Sequence, residues 1–492
     1  MGKSNEKTAE NYIDLTFEQR KDIGLKYVLD MLDPACPYGA KLLKTLRIYK
    51  SEEKDELERE QGNVSAMLFA LEQSYEKVSA IRHTLSALKD ISGSIKNCAQ
   101  GTLTEVELFE ITAFLFRIKE LIPQAEALPG YGEMTGAHFE HVDAPLAILD
   151  PKSTGRLSFF IEDTRTPELQ RLRQIKRELD EKLSHRGAET DKLMAQRIAT
   201  VSAEQQELLT IYSAISDSLR PMLPILEKNI SAAGRLDAAI CKAVLARRYA
   251  GTKPELGGQE LMLERAVNPE VSDHLAETGR QFTPITVKLP TGATILTGAN
   301  MGGKSVAIKT MTLNVALALM GFFVFCDKSK IPLFDGIELI NRDFSSITSG
   351  LSSFGGEITR FNETVKRLRE GRLLFIAMDE FARGTNSEEG AAIIRAVVKY
   401  LSGRNAVSIL ATHYDGAAEY ASRRYQVCGI SKALNAAKLQ NNTKQGVAFI
   451  AEHMHYGLIE VDKNEEQPRE AILICRLLGM DEEILNEIEC NR

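Results

Sequence analysis

The seven cysteines of this 492-residue chain never fall in a C-x-x-C pair, so no zinc site or disulfide framework is visible. Their scatter fits a reduced compartment, the cytoplasm. The longest apolar run, Val315 to Cys326 (VALALMGFFVFC), falls short of the about 20 residues that a bilayer span needs, so no membrane partner is expected. The opening MGKSNEKTAENYIDL lacks the apolar stretch of a secretory signal. Glu6 also stands where myristoylation wants Ser or Thr. A basic excess is missing as well. Through residue 275 there are 36 Lys+Arg against 43 Asp+Glu, and the remainder holds 25 of each. Neither part carries the footprint of a dedicated nucleic-acid binder, which counts against DNA as a partner but leaves it open.

What is present starts with GANMGGKS, residues 298–305. It fits the phosphate-cradling pattern G-x-x-x-x-G-K-[ST], with Gly298, Gly303, Lys304 and Ser305 at the fixed positions. A short apolar strand, ATILTG (293–298), runs into it and a helix (304–321) follows. In that setting backbone N–H groups turn inward on phosphates and the helix N-terminus adds its positive end. Lys304 then reaches the β- and γ-phosphates of ATP, and Ser305 holds Mg²⁺. A second apolar strand, LLFIAMDE (373–380), carries Asp379 to its C-terminal end, where α/β sheets place ligands. Asp379 is expected to reach Mg²⁺ through water, and Glu380 to orient or deprotonate the attacking water.

The rest of the chain divides by pattern. Residues 52–90 carry apolar side chains in steps of three and four, one face of a long helix. Thr102 to Glu105 (TLTE) has capping-box spacing before a helix through Ile122. LAILDPKSTGRLSFFIED, 146–163, reads as two short strands about a turn. Thr166-Pro167 caps another helix whose seam is Leu169, Leu172, Ile175, Leu179 and Leu183. SHRGA (184–188) is its turn, helices resume over 190–250, and 251–258 reads as a linker. From about 281, short apolar strands, including AVSILATH (406–413), alternate with helices at 357–370 and 388–402. That alternation indicates a mostly parallel, helix-flanked sheet. The expected architecture is an α/β P-loop (ABC-like) ATPase domain over 276–492, its helical tail starting near 468. An all-α core and lever domain over 1–275, with the short hairpin, precedes it.

Several of these motifs resemble the MutS family of ATPases. TGANMGGKS resembles the family's TGPNMGGKS loop, with Ala299 in place of Pro. DEFARGTNSEEG (379–390) fits its D-E-x-x-R-G-T-x-x-x-x-G run, ATHY (411–414) its strand-end histidine motif, and SGLSSFGGEI (349–358) the segment that offers a serine to the other subunit's nucleotide. The resemblance implies a homodimer with two composite ATP sites. Ser352 approaches the γ-phosphate in trans, with Ser353 as an alternative. Arg383, Gly384 and Thr385 lie with Ser352 at the subunit interface, and His413 senses the γ-phosphate. Asn300, Met301 and Gly302 join Gly298, Gly303, Lys304 and Ser305 in the ATP-binding loop. More weakly, DTRTPELQRLRQIKRELDEKL resembles the family's outgoing lever helix and LDAAICKAVLARRYAGTKPEL its return. Neither the Phe-x-Glu mismatch-reading element nor a strand-rich DNA clamp is seen.

Three functions remain open on the sequence. The first is a DNA-processing ATPase of mismatch-repair or recombination type, gripping DNA near Arg171, Arg173, Lys176 and Arg177. The second is an ATPase that remodels a protein client. Some short ATPases of this build resemble reactivating factors for adenosylcobalamin-dependent aminomutases. The third, a structural dimer without catalysis, conflicts with the presence of Lys304, Ser305, Asp379 and Glu380.

Overall fold

The computed structural model describes residues 15–158, 161–184, 190–298, 302–341, 353–414, 416–430, 454–462 and 471–490. The chain divides into two compact units. A sheet unit comprises Met1–Asp33, Thr45–Leu68 and Lys242–Arg492, and a helical unit comprises Pro34–Lys44 and Phe69–Cys241. This division crosses the expected 275/276 boundary. Segments near the N-terminus contribute to the sheet unit's core, which gathers Leu15, Ile23, Val28 and Leu57 with residues beyond 245.

Among the described residues, ten strands build the sheet unit: β1 (Glu255–Leu256), β2 (Leu261–Ala266), β3 (Ile285–Leu289), β4 (Gly292–Thr297), β5 (Lys328–Ile331), β6 (Gly336–Ile340), β7 (Leu374–Asp379), β8 (Ala406–Ala411), β9 (Arg423–Ile430) and β10 (Met454–Glu460). Six of them form a sheet in the order β10-β9-β4-β8-β7-β6, parallel except where β10 runs against β9. β4 and β8 are buried at every position, as strands covered on both faces are. A smaller mixed sheet has the order β1-β5-β2-β3. The helix Lys304–Leu319 (KSVAIKTMTLNVALAL) packs on strands of both sheets. It is apolar nearly all round, which suits a central helix with no solvent face. The expected linker 251–258 is part of this structure, because Thr252 bridges Val324 and β1 pairs with β5. The chain is thus helical in its N-terminal part and α/β of the P-loop type toward its C-terminus.

The helical unit contains no strand among its described residues. Its helix Glu105–Glu126 starts at a capping box formed by Thr104 and Glu107, two residues after the expected Thr102–Glu105, and runs past the expected stop at Pro123. A proline in the last turn removes one backbone donor, while Ala125 beyond it is fully buried. Helix continuity was overestimated over 52–90. Ser74, at φ −153° and ψ 58°, separates Lys54–Gln73 from Tyr75–Ser86. The hairpin expected at 146–163 is not formed by the described residues. Leu146–Leu149 instead close the helix Asp143–Leu149, with Leu146 buried. The Asp150 carboxylate then gathers the next turn, accepting the N–H of Thr154 at 2.9 Å and of Gly155 at 2.8 Å. A four-residue apolar run has no period of its own, and Pro145 in a first turn decides for helix.

The helices Pro167–Ser184 and Thr190–Leu219 pair antiparallel. Asp180 meets Arg197, Arg173 meets Glu204, and Thr166 meets Glu207, so one sequence rises as the other falls. Leu169, Leu172 and Leu179 of the expected seam are buried, and Thr166 caps the first of the two helices. The expected turn at 184–188 falls mostly outside the described residues, as does the tail's proline, Pro468. The tail itself is described as helices Ala471–Leu477 and Glu482–Cys490.

Candidate active site

Adjacent strands bring three distant motifs to one edge. β4, β8 and β7 are neighbours, and both Leu296 and Asp379 are register partners of Ala411. The backbone ties continue beyond the strands, with Thr412 N–H donating to Leu296 O at 3.1 Å and Glu380 N–H to Ala411 O at 3.2 Å. Gly298, Asp379 and His413 therefore leave the same carboxyl edge of the sheet, the side on which such sheets bind ligands.

The loop leaving β4 needs its glycines. Gly298 sits at φ +128°, and a side chain there would come within 3.3 Å of the Val427 backbone. Gly303, at φ +89°, ends the loop as the helix N-cap, and the Tyr456 ring lies 3.0 Å from where its Cβ would be. Lys304 opens the helix with its side chain turned back into the loop, donating from Nζ to Gly298 O at 2.7 Å. Burial pushes its pKa down, and the nearby Glu380 and Asp379 oppose that shift. Gly302 is buried beside it, while Asn300 and Met301 lie outside the described residues.

Asp379 lies at the end of β7 with its carboxyl mostly buried. Burial pushes its pKa up, and a hydrogen bond with Ser305 works against that. Its Oδ1 is buried yet has no hydrogen-bond partner among the described residues. An orphaned carboxylate oxygen is costly unless something positive is meant to meet it. Ser305 and Asp379, with phosphate and water oxygens, are a donor set that suits Mg²⁺, which keeps several waters and few protein ligands. Among the described residues no group of three or more His, Cys, Asp or Glu could hold a metal, so a fuller protein cage is not offered.

Glu380 follows in a left-handed conformation at φ +53° and pairs through Oε2 with Arg383. Gly384 and Thr385 continue this exposed turn, and Thr385 Oγ1 donates to Glu389 at 2.8 Å. His413 is exposed at the end of β8. Partial desolvation pushes its pKa down, opposed by the charge of Glu380. Ser352 lies outside the described residues. Ser353 begins the helix Ser353–Arg369.

The family model described as MutS domain V matches residues 294–477. That span takes in the loop, both carboxylates and His413. The matched part of the chain is a MutS domain V. The protein named Endonuclease MutS2 of Lactococcus lactis subsp. cremoris (strain SK11) is 27% identical over 286 residues, which cover 58% of this chain and 34% of that protein. Its namesake in Caldicellulosiruptor bescii is 30% identical over 215 residues, covering 43% and 26%. The chain therefore spans about a third or less of the length of these relatives.

Outside this MutS-like part, the four cations expected to grip DNA are already engaged. Arg173 pairs with Asp163 at 2.7 Å and with Glu204 at 2.8 Å, and its side chain is 14% exposed. Lys176 also pairs with Glu204, Arg177 with Asp163, and Arg171 with Glu168 at 3.3 Å. Burial opposes ionisation of Glu204, yet the Lys176 and Arg173 hydrogen bonds hold its pKa below the usual carboxylate range. The dense basic run in the sequence is an ion network within the protein, because its acidic partners come from Asp163, from Glu168 on the same helix and from Glu204 on the facing helix.

Several residues near the MutS-type site gave no sequence signal. Asp22 accepts from Lys309 at 2.5 Å and from Asn341 at 2.9 Å, and the Lys309–Asp22 pair lies close enough to act on Asp379. Tyr456 covers the phosphate loop from β10. Only segments hundreds of residues apart, brought together by folding, create these contacts.

Proposed function

We propose that this chain is a Mg²⁺-dependent ATP hydrolase, working as a homodimer in a reducing cytoplasm, that couples nucleotide turnover to movement of its helical arm. The observation that carries the reading is the orphaned, buried Oδ1 of Asp379, bonded through its carboxylate to Ser305 and one residue from the Lys304 loop. Phosphates of ATP would be held by Lys304 and by the backbone donors of 298–303, at the N-terminus of a 16-residue helix. Ser305 and Asp379 would hold Mg²⁺, which when bound neutralises charge developing on the phosphate oxygens. Glu380 orients and deprotonates the attacking water, a role that uses the carboxylate oxygen not occupied by Arg383. His413 meets the γ-phosphate as a sensor from its strand end. Ser352 or Ser353 completes the site from the partner subunit, with Arg383, Gly384 and Thr385 at the joint.

The experiment measures ATP affinity and steady-state hydrolysis separately. Lys304→Ala is expected to abolish ATP binding. Glu380→Gln is expected to keep the wild-type affinity and lose at least about 10²-fold in turnover, the lower range of general-base effects. Wild-type turnover by Glu380→Gln would remove Glu380 from the mechanism. Sharing of the site is tested with mixed dimers of a Ser352→Ala/Ser353→Ala subunit and a Lys304→Ala subunit. One of their two sites carries both defects and the other neither, so hydrolysis partly returns. Demonstrated mixed dimers without recovery would contradict the composite site.

DNA is the first substrate class proposed for the arm, in repair- or recombination-like processing, because the relatives are named endonucleases of this family. The paired state of Arg171, Arg173, Lys176 and Arg177 favours a second reading, a protein client such as an adenosylcobalamin-dependent aminomutase awaiting reactivation. A lever whose charges are satisfied internally has little left for phosphates.

A further inference from the structure

The turn after the strand-end carboxylates is held in a conformation that it would not choose alone. Ala382 sits at φ +60° and Glu380 at φ +53°, in the left-handed region that is costly for residues with a Cβ. The peptide groups of Ala382 are gripped on both sides. Its N–H donates to Glu357 Oε2 at 2.9 Å, and its C=O accepts from the Tyr414 hydroxyl at 3.2 Å. Glu357 is 5% exposed and Tyr414 is 8% exposed. Glu357 belongs to the helix Ser353–Arg369, and one turn later on its face Phe361 meets Phe381, ring centroids 5.8 Å apart. Tyr414 follows His413 directly. Gly390 makes room for it, since a Cβ there would lie 2.3 Å from the phenol oxygen.

We propose that Glu357 and Tyr414 are positioning residues for hydrolysis. They clamp the Ala382 peptide so that Glu380 keeps its working orientation, and they tie that orientation to the serine-bearing helix and the histidine-bearing strand end. A shift of either element pulls on one jaw of the clamp. The carboxylate turn then senses both the start of the helix at Ser353 and the position of His413. This inference rests on Glu380 acting as the catalytic carboxylate.

The test is turnover and ATP affinity of Tyr414→Phe and Glu357→Gln, each alone and each combined with Ala382→Gly. Tyr414→Phe is expected to lower kcat about fivefold and Glu357→Gln about tenfold or more, the second having lost a charge-assisted bond. Their ATP affinity should stay within about twofold of wild type, because nothing at Lys304 or Ser305 changes. Glycine adopts left-handed backbone freely, so Ala382→Gly should restore much of the lost kcat in the Tyr414→Phe background. A purely structural role predicts lower melting temperatures with kcat unchanged, and that result overturns the proposal. So does a parallel loss of affinity and kcat without glycine rescue. Glu380→Gln is assayed alongside. If it turns over normally, the function proposed for Glu380 is wrong; if it is inactive while both clamp variants are normal, only the clamp is wrong.

Discussion

Two charged regions of this chain use their charges in opposite ways. At the carboxyl edge of β4, β7 and β8, an aspartate oxygen is buried without a partner among the described residues, and a lysine side chain is turned into a backbone loop. Along the helix Pro167–Ser184, both oxygens of Glu204 are bonded, and Arg173 serves two carboxylates and a carbonyl. The first arrangement is unstable on its own terms and makes sense with phosphates and a cation in place. The second is complete as it stands. Charge density in a sequence is therefore a poor guide to available charge. The basic run 171–177 reads as a binding stripe and folds as a network, whereas single charges after a strand are the ones kept for a ligand.

Breaking the closed network should have the larger effect on stability. Glu204→Ala leaves Arg173 and Lys176 facing each other in a largely buried position, and the expected loss is about 2–4 kcal/mol, less than a fully buried pair would show. The same change at Glu168 should cost no more than about 0.5 kcal/mol, because its pair with Arg171 is exposed. Urea unfolding followed by circular dichroism checks both. Equal effects at the two positions would mean that the network does not bear on the fold.

A smaller effect is expected when DNA is offered to the lever. Arg171 and Arg177 are the exposed members of the run, at 69% and 68%. Each phosphate neutralised adds about 0.9 to the negative slope of log K against log salt. With the pairs already made, reversing Arg171 and Arg177 to glutamate should change DNA affinity little, and the slope by less than about 2. Mismatched and matched duplex should bind alike. Tight, structure-specific binding at physiological salt, lost on these two reversals, would instead place DNA on this helix.

The legible parts of the sequence were those where one local signal sufficed. β4, β7 and β8 are short apolar runs ending in chemistry, and the cap at Thr166 sets the start of its helix at Pro167, whereas the capping box expected at Thr102–Glu105 lies two residues before the one formed at Thr104–Glu107. β5 (KSKI) carries a single apolar residue, too few to announce a strand. The run at 146–149 folds as helix where its pattern reads as strand, because four apolar residues fit a strand or a helix turn equally. Other features depend on distance along the chain. Residues 15–33 and 45–68 belong with residues beyond 242, and no window of sequence shows that. Glu357 and Tyr414 escaped notice for the same reason, since their shared target at Ala382 is a backbone group set by the fold.

The claim that the sheet edge is kept for a magnesium nucleotide is tested most directly by titrating ATP with and without Mg²⁺ across a pH series. Wild type should gain affinity from Mg²⁺, and Asp379→Asn should lose most of that gain while still binding ATP through Lys304. The Asp379 carboxyl is held above its ordinary range, so it takes up a proton sooner than an exposed aspartate as pH falls. Metal binding needs the carboxylate. The Mg²⁺-dependent gain should therefore begin to fade above the usual aspartate range in wild type and be small and flat in Asp379→Asn. An equal Mg²⁺ gain in both proteins, with the same pH dependence, would contradict the account.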